Sequence, residues 1–341
     1  MDSITQIVLG AACGEAALGK KIGNKALLFG AIGGTIPDLD VFTSRWIYNN
    51  EIDIMSAHRG FSHSIVFAIL GAFLFGWLTH KLYDWGKRKS QTRIKDWIWL
   101  FFLALITHIL LDSFTPYGTQ IFQPFSNFRF ATNNISVADP SYTVPFLLCI
   151  IVLMFFKRRS YRRRLWLKLA FGISSLYMLL TIGNKIYINS VFAKSLVNDN
   201  IPYIKFQTQP TILNNVLWYG IAETENEYYA GFYSILDNST KVEEWEIIPK
   251  NHDLADSDHE DIKTLAWFSH GYYNFHPIED STNLQYNDLR YLMIDQNEER
   301  SYVFSFSIYM DGERYNAEPF VGQPPSEDDL RYFFKRIKGI K

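Results

Sequence analysis

Cysteine is scarce: Cys13 and Cys149 are the two in 341 residues, and both lie in apolar stretches of the first half. No disulfide framework therefore holds the second half, and cysteine usage does not locate it. An excess of either charge is also missing, with 33 Lys and Arg against 35 Asp and Glu. That balance excludes a strongly basic nucleic-acid binder, so no nucleic-acid partner is expected. There is no Gly-x-Ser-x-Gly elbow, no Walker-type phosphate loop and no dinucleotide fingerprint, so none of those chemistries is signalled. Internal repeats and low-complexity segments are absent as well. Met1-Asp2-Ser3-Ile4-Thr5-Gln6 has no basic n-region, and no small-residue cleavage pattern follows, which reads as a first helix that is retained.

What is present divides near residue 189. Residues 1–188 hold 20 Lys and Arg against 10 Asp and Glu, whereas residues 189–341 hold 13 against 25. With 48% hydrophobic residues in the whole chain, disorder is excluded. The reading is an α-helical integral membrane domain over 1–188, then an acidic, β-rich (α+β) soluble domain over 189–341. The strongest spans are residues 64–82, 97–111, 143–156 and 165–188, the third opening at Pro145. Two shorter runs, 4–18 and 26–36, are rich in Gly and Ala and are expected to pack inside the bundle as a tight hairpin broken at 19–24.

Sidedness follows from short basic loops. Lys20, Lys21 and Lys25; Lys87, Arg88, Lys89, Arg93 and Lys95; and the run from Lys157 to Arg164 all fall on one side if six segments alternate. That side is expected to be cytoplasmic. The N-terminus, loops 37–63 and 112–142 and the acidic domain then lie outside the cytoplasm, in a multi-pass membrane protein. In the acidic half, strands are expected at 216–221, 228–235, 241–248, 289–294 and 302–310, an exposed loop at 251–261 and a capped helix at 326–337.

Three motifs place ionisable groups at the ends of apolar segments: Pro37-Asp38-Leu39-Asp40, His58-Arg59-Gly60-Phe61-Ser62-His63, and His108 with Asp112. Such charges are costly near a bilayer and face a protein interior or a wet cavity. His108 and Asp112 share one helix face at a spacing of four. Alone, each motif has an ordinary reading: a helix contact, a capping turn, a chance pair of histidines. Converging on one side, Asp38, Asp40, His58, His63, His108 and Asp112 are candidate ligands for one or two divalent ions, zinc first, with manganese or iron as alternatives. Arg59 is the natural partner for an anionic oxygen. Glu15 is expected to pair with a lysine, and His80, His252, His259, His270 and His276 to sit at interfaces or surfaces.

These motifs, with Gly34-Thr35-Ile36, Ser64 and the stretch from Thr107 to Gly118, resemble the YdjM-like (LexA-regulated) inner-membrane metal-dependent hydrolase family over roughly residues 1–125. The resemblance implies metal and catalytic roles for the six His and Asp residues, with Arg59 beside them. Gln6 stands where the family often has His, and an amide is a poorer ligand for zinc that can still hydrogen-bond a metal-bound water. The expected function is a membrane phosphoesterase or esterase: Arg59, Asp40 and Gln6 assist a metal-activated water on an ester or phosphoester, and the setting favours a lipid substrate. The alternative is a non-catalytic envelope protein in which the cluster is structural and the second domain binds an unidentified protein. A transporter is favoured less, because the charges gather at one face.

Overall fold

A computed structural model describes residues 1–279, 281–291, 302–320 and 326–340. In chain order its helices are α1 (Ser3–Ile22), α2 (Asn24–Thr35), α3 (Asp40–Ile47), α4 (Glu51–Ala57), α5 (Ile65–Tyr83), α6 (Ile94–Asp112), α7 (Pro140–Met154) and α8 (Tyr161–Asn198). Strands β1 (Lys205–Pro210), β2 (Leu217–Glu223), β3 (Glu227–Ser234) and β4 (Glu246–Pro249) follow. Then come α9 (Glu260–Phe268), β5 (Tyr273–Pro277), β6 (Leu284–Asp288), β7 (Ser305–Asp311), β8 (Arg314–Pro319) and α10 (Glu327–Ile337). The chain is thus an N-terminal helical region followed by a domain of two antiparallel sheets. By contacts it forms two compact units. The first is Met1–Thr43, Ala57–Asn184 and Ile212–Asn215; the second is Ser44–Ser56, Lys185–Thr211 and Val216–Lys341.

In the first unit, α5, α6 and α8 are long and apolar enough to cross a membrane, and α2 with the following segment to Ile47, bent by 45°, is a fourth candidate. Only 22% of the apolar window of α5 and 17% of that of α8 is buried. Phe73, Leu74 and Trp77 on α5 and Leu176, Leu179 and Leu180 on α8 are exposed. Apolar surface on that scale belongs against lipid rather than water. Helix α7 is apolar but only 15 residues long. It starts at Pro140 behind an Asp139 cap, so Pro145 lies inside it rather than at its opening.

Helices α1 and α2 are packed backbone to backbone. A Cβ on Gly10 would overlap the Gly30 carbonyl oxygen, one on Gly14 the Ala26 carbonyl, and one on Gly34 would sit 2.5 Å from the Gln6 carbonyl. Small residues four apart permit this approach, with van der Waals contact between backbones in place of side-chain interdigitation. The hairpin is tighter than expected, since Gly23 alone separates the helices, at a φ of +62° that suits glycine. Glu15 is held by Arg163 of α8 rather than by a lysine, in a buried two-pronged pair at 2.7 and 2.6 Å. Lysine geometry does not match two carboxylate oxygens in this way.

The second unit holds two four-stranded antiparallel sheets, in the orders β1-β2-β3-β4 and β5-β6-β7-β8. Tyr219, Ile221, Tyr228 and Leu289 lie in one buried cluster. Residues 289–294 were expected as a strand. Leu289–Tyr291 instead form a 3-10 turn anchored by the Asp288–Arg290 pair, and 292–294 lie outside the described residues. The 241–248 strand shortens to β4. Within 251–261, a 3-10 turn at His252–Leu254 and the start of α9 add structure to the expected loop. Strands β1, β6 and β8 were not foreseen, because polar residues interrupt their alternation; the short β5 and helix α9 were not foreseen either. Two surface histidines prove partly enclosed: His252 stacks on Tyr273 at 4.1 Å, and His259 caps α9. Helix α10 begins behind a reciprocal Ser326/Asp329 capping box. Residues 44–56 group with this unit, where Asn50 Nδ2 donates to the Tyr315 carbonyl at 2.7 Å and Arg314 pairs with Asp53 at 2.8 Å.

Candidate metal centre

Four side chains of the first unit meet at the ends of α2, α5 and α6. Asp38 sits in the 3-10 turn Pro37–Leu39 that closes α2. His63 ends the 3-10 turn Phe61–His63, which runs into α5 behind the Ser64 cap. His108 and Asp112 occupy the last turns of α6. One ligand atom from each of the four lies within 4.8 Å of the others.

The separations are short for groups of this kind. His63 Nε2 is 3.2 Å from His108 Nε2 and 3.3 Å from Asp38 Oδ1, and His108 Nε2 is 3.4 Å from that same oxygen. Asp112 Oδ2 lies 3.5 Å from His63 Nε2 and 3.8 Å from His108 Nε2. Ligands at about 2.0–2.1 Å from a tetrahedral zinc are roughly 3.3–3.4 Å apart. The four atoms therefore have the spacing of a ligand set.

Hydrogen bonding fixes which nitrogens carry protons. His108 Nδ1 faces the Gly34 carbonyl at 2.7 Å and must donate to it. That carbonyl is available because Gly34 lies in the last turn of α2, where carbonyls lack helical partners. Ser62 Oγ gives its hydrogen to Asp40 Oδ2 at 2.9 Å, so His63 Nδ1, 2.9 Å from Ser62 Oγ and 3.2 Å from Asp40 Oδ2, is a donor too. With each Nδ1–H committed to an oxygen, the two Nε2 atoms face each other, and Nε2 is the nitrogen that a neutral imidazole so held offers to a cation. A donor bond from the far nitrogen is the usual support of a metal-bound histidine.

Two buried oxygens fit the same picture. Among the described residues, Gln6 Oε1 and Asp112 Oδ2 accept no hydrogen bond, although the Arg59 guanidinium lies beside the latter. Asp112 Oδ1 meanwhile receives Gln6 Nε2 at 2.8 Å and the Met1 amine, leaving Oδ2 towards the histidines. Asp38 is the one member of the four with an exposed edge, at 26% against 0% for the other side chains. Aspartate and imidazole donors of this number suit zinc, manganese or iron, so the residues fit a divalent ion.

The other expected residues surround this group rather than join it. Asp40 accepts from His58 Nδ1, the Arg59 backbone N–H and Ser62 Oγ, all at 2.9 Å. His58 turns to Asp40 and packs edge-on against Tyr117 at 5.2 Å. Arg59 places Nε 3.0 Å from Asp112 Oδ2 and donates from a terminal nitrogen to Thr115 Oγ1 at 2.9 Å. Its φ of +58° is uncommon for a side-chain-bearing residue. Here the surrounding bonds of its N–H to Asp40 and its carbonyl to Gln120 hold it. Sequence reasoning missed Ser62, Thr115, Tyr117, Arg129 and the Gly34 carbonyl. Arg129 had a signal, being the single basic residue in 113–138, a run without acids.

Comparison with known proteins agrees with the helical half. A family model described as YdjM inner membrane protein matches residues 1–186. The uncharacterized protein YfhP of Bacillus subtilis is 29% identical over 159 residues, which are 45% of this chain and 46% of YfhP. Inner membrane protein YbcI of Escherichia coli is 33% identical over 123 residues, 35% of this chain and 65% of YbcI. The chain thus spans about half to two thirds of the length of these relatives. No solved structure is significantly similar to it.

Proposed function

The chain belongs to the YdjM inner membrane protein family, and on that premise we propose that it is a metal-dependent membrane hydrolase acting on an ester or phosphoester. The observation that carries the reading is the meeting of His63 and His108 Nε2 atoms with Asp38 and Asp112. The proposed ligands are those four residues, and the proposed ion is zinc, with manganese or iron as alternatives. A bound divalent cation supplies Lewis acidity and lowers the pKa of water to about 7.

The protein's own groups then have distinct tasks. Asp40 holds His63 by its Nδ1–H, and Gly34 holds His108 in the same manner. Asp38 marks the open side, where substrate enters. Arg59, already pointed at Asp112, lies where it can stabilise negative charge on a reacting oxygen. Gln6 Oε1, buried and without a partner, accepts a hydrogen from water in the site. The ends of α5 and α6 are near a lipid-facing surface, which favours a lipid-borne substrate.

We place the site, the N-terminus and the sheet domain outside the cytoplasm, in a multi-pass arrangement whose basic loops lie inside. A structural metal in a non-catalytic protein is the second reading, favoured by the fact that four protein ligands would close a tetrahedral site. Metal-replete protein assayed against a panel of phospholipids and soluble phosphoesters separates the two. Turnover that Arg59→Ala abolishes while metal content is retained supports the hydrolase. No turnover of any panel member, with metal fully bound, favours the structural role.

A further inference from the structure

Beside the four-ligand group, a single aromatic ring gathers two arginines. The Arg59 guanidinium lies 4.7 Å from the centroid of Tyr117, and that of Arg129 lies 5.0 Å from it. Both arginines are buried, at 5% and 3% exposure. Their placement is built in. An isolated antiparallel bridge pairs Thr119 with Phe130, through bonds of 3.0 and 2.9 Å, and sets Arg129 next to the turn that carries Tyr117. Arg129 donates to the carbonyls of Gly118 and Tyr117 at 3.1 and 3.4 Å, and the Gln120 N–H donates to the Arg59 carbonyl at 3.0 Å. Thr119 Oγ1, wholly buried in that turn, has no hydrogen-bond partner among the described residues.

Taking a guanidinium out of water is costly, and here two are enclosed around one ring. We propose that Arg59 and Arg129, both over the Tyr117 ring, bind a terminal phosphate group of the substrate, an inference that rests on the hydrolase reading and names its substrate class. A carboxylate is satisfied by one guanidinium fork, whereas a phosphate carries a charge of about −1.5 to −2 and three strong acceptor oxygens, enough for two. Arg59 has a special position in this scheme. Its carboxylate partner, Asp112, is one of the four candidate ligands, so a cation in the centre draws on the charge that otherwise faces Arg59.

The test titrates inorganic phosphate into the detergent-purified full chain by calorimetry, with metal content measured on the same samples. Saturable binding is expected in the wild type, about ten-fold or more weaker in folded Arg129→Gln with metal content unchanged. Arg129→Lys, which keeps the charge and loses the fork, should fall between them and guards against a folding defect in the first variant. A second arm compares vesicles of phosphatidylcholine with vesicles containing phosphatidate. Tighter binding to phosphatidate than to free phosphate assigns the group to a lipid headgroup, and equal binding to a soluble phosphoester. Metal-bearing wild type that binds no phosphate, or equal binding by Arg129→Gln, overturns the proposal while leaving the metal site standing. Arg129-dependent phosphate binding by protein that takes up no metal on reconstitution would overturn the assignment to a hydrolase substrate and leave an anion site alone.

Discussion

His63 and His108, 45 residues apart in sequence, present their Nε2 atoms to each other at 3.2 Å, each with its Nδ1–H committed to an oxygen. These two facing nitrogens, with Asp38 and Asp112 around them, mark the candidate centre. The Asp40 carboxylate works one layer back from it. Asp40→Asn is therefore expected to weaken metal affinity about 10–100-fold without unfolding the protein. His58→Ala, which alters only the far side of Asp40, should weaken it much less. Competition with a chromophoric chelator measures both, and equal losses in the two variants would place His58 among the ligands.

The approach of α1 and α2 leaves no room at Gly14, where a Cβ would overlap the Ala26 carbonyl. Gly14→Leu should destabilise by about 1–3 kcal/mol or more, as overpacking does. It should also weaken metal binding, because the same interface seats Gln6 and Gly34. A thermal melt and a metal assay on one preparation check this pair of effects.

Removing one member of the buried Glu15–Arg163 pair strands the other. Arg163→Met alone is expected to cost about 3–5 kcal/mol, and Glu15→Gln with Arg163→Met considerably less than the single change. Denaturation of the three proteins gives the comparison, and a double variant no better than the single would show that the charge is not the issue.

In the sheet domain, burial pushes the Glu223 carboxyl up, but hydrogen bonds from Lys250 and Lys205 outweigh it and leave it below the ordinary glutamate range. A depressed carboxyl contributes stability that is present above its unfolded value, about 4.3, and is lost as pH falls through the folded one. Glu223→Gln should therefore melt lower than wild type at pH 7, with the gap closing as pH drops below about 4. A gap that is independent of pH would mean the lysines are held by something else.

The helical half and the polar motifs were legible in the sequence because both rest on local rules. Apolar runs mark α5, α6 and α8, and the spacing of His108 and Asp112 fixes their shared face. What escaped depends on distant partners. Asp40 and His58 have the same residue types as the four clustered side chains, and the bonds of Asp40 to His58, Ser62 and His63 place them beside that group. Arg163 is indistinguishable in sequence from its basic neighbours, yet among the described basic residues it is the one paired with Glu15 of α1. Strands such as β6 and β8 carry Asn, Gln and Glu among few apolar residues, so tertiary pairing rather than alternation defines them.

The central claim is the metal centre, and the most direct measurement is elemental analysis of detergent-purified protein, wild type against His63→Ala and His108→Ala, each shown to be folded. The account predicts about one equivalent of a divalent transition metal in the wild type and near none in either variant. A folded wild type that holds no metal after reconstitution with zinc, manganese and iron, or variants that retain it in full, would contradict the account.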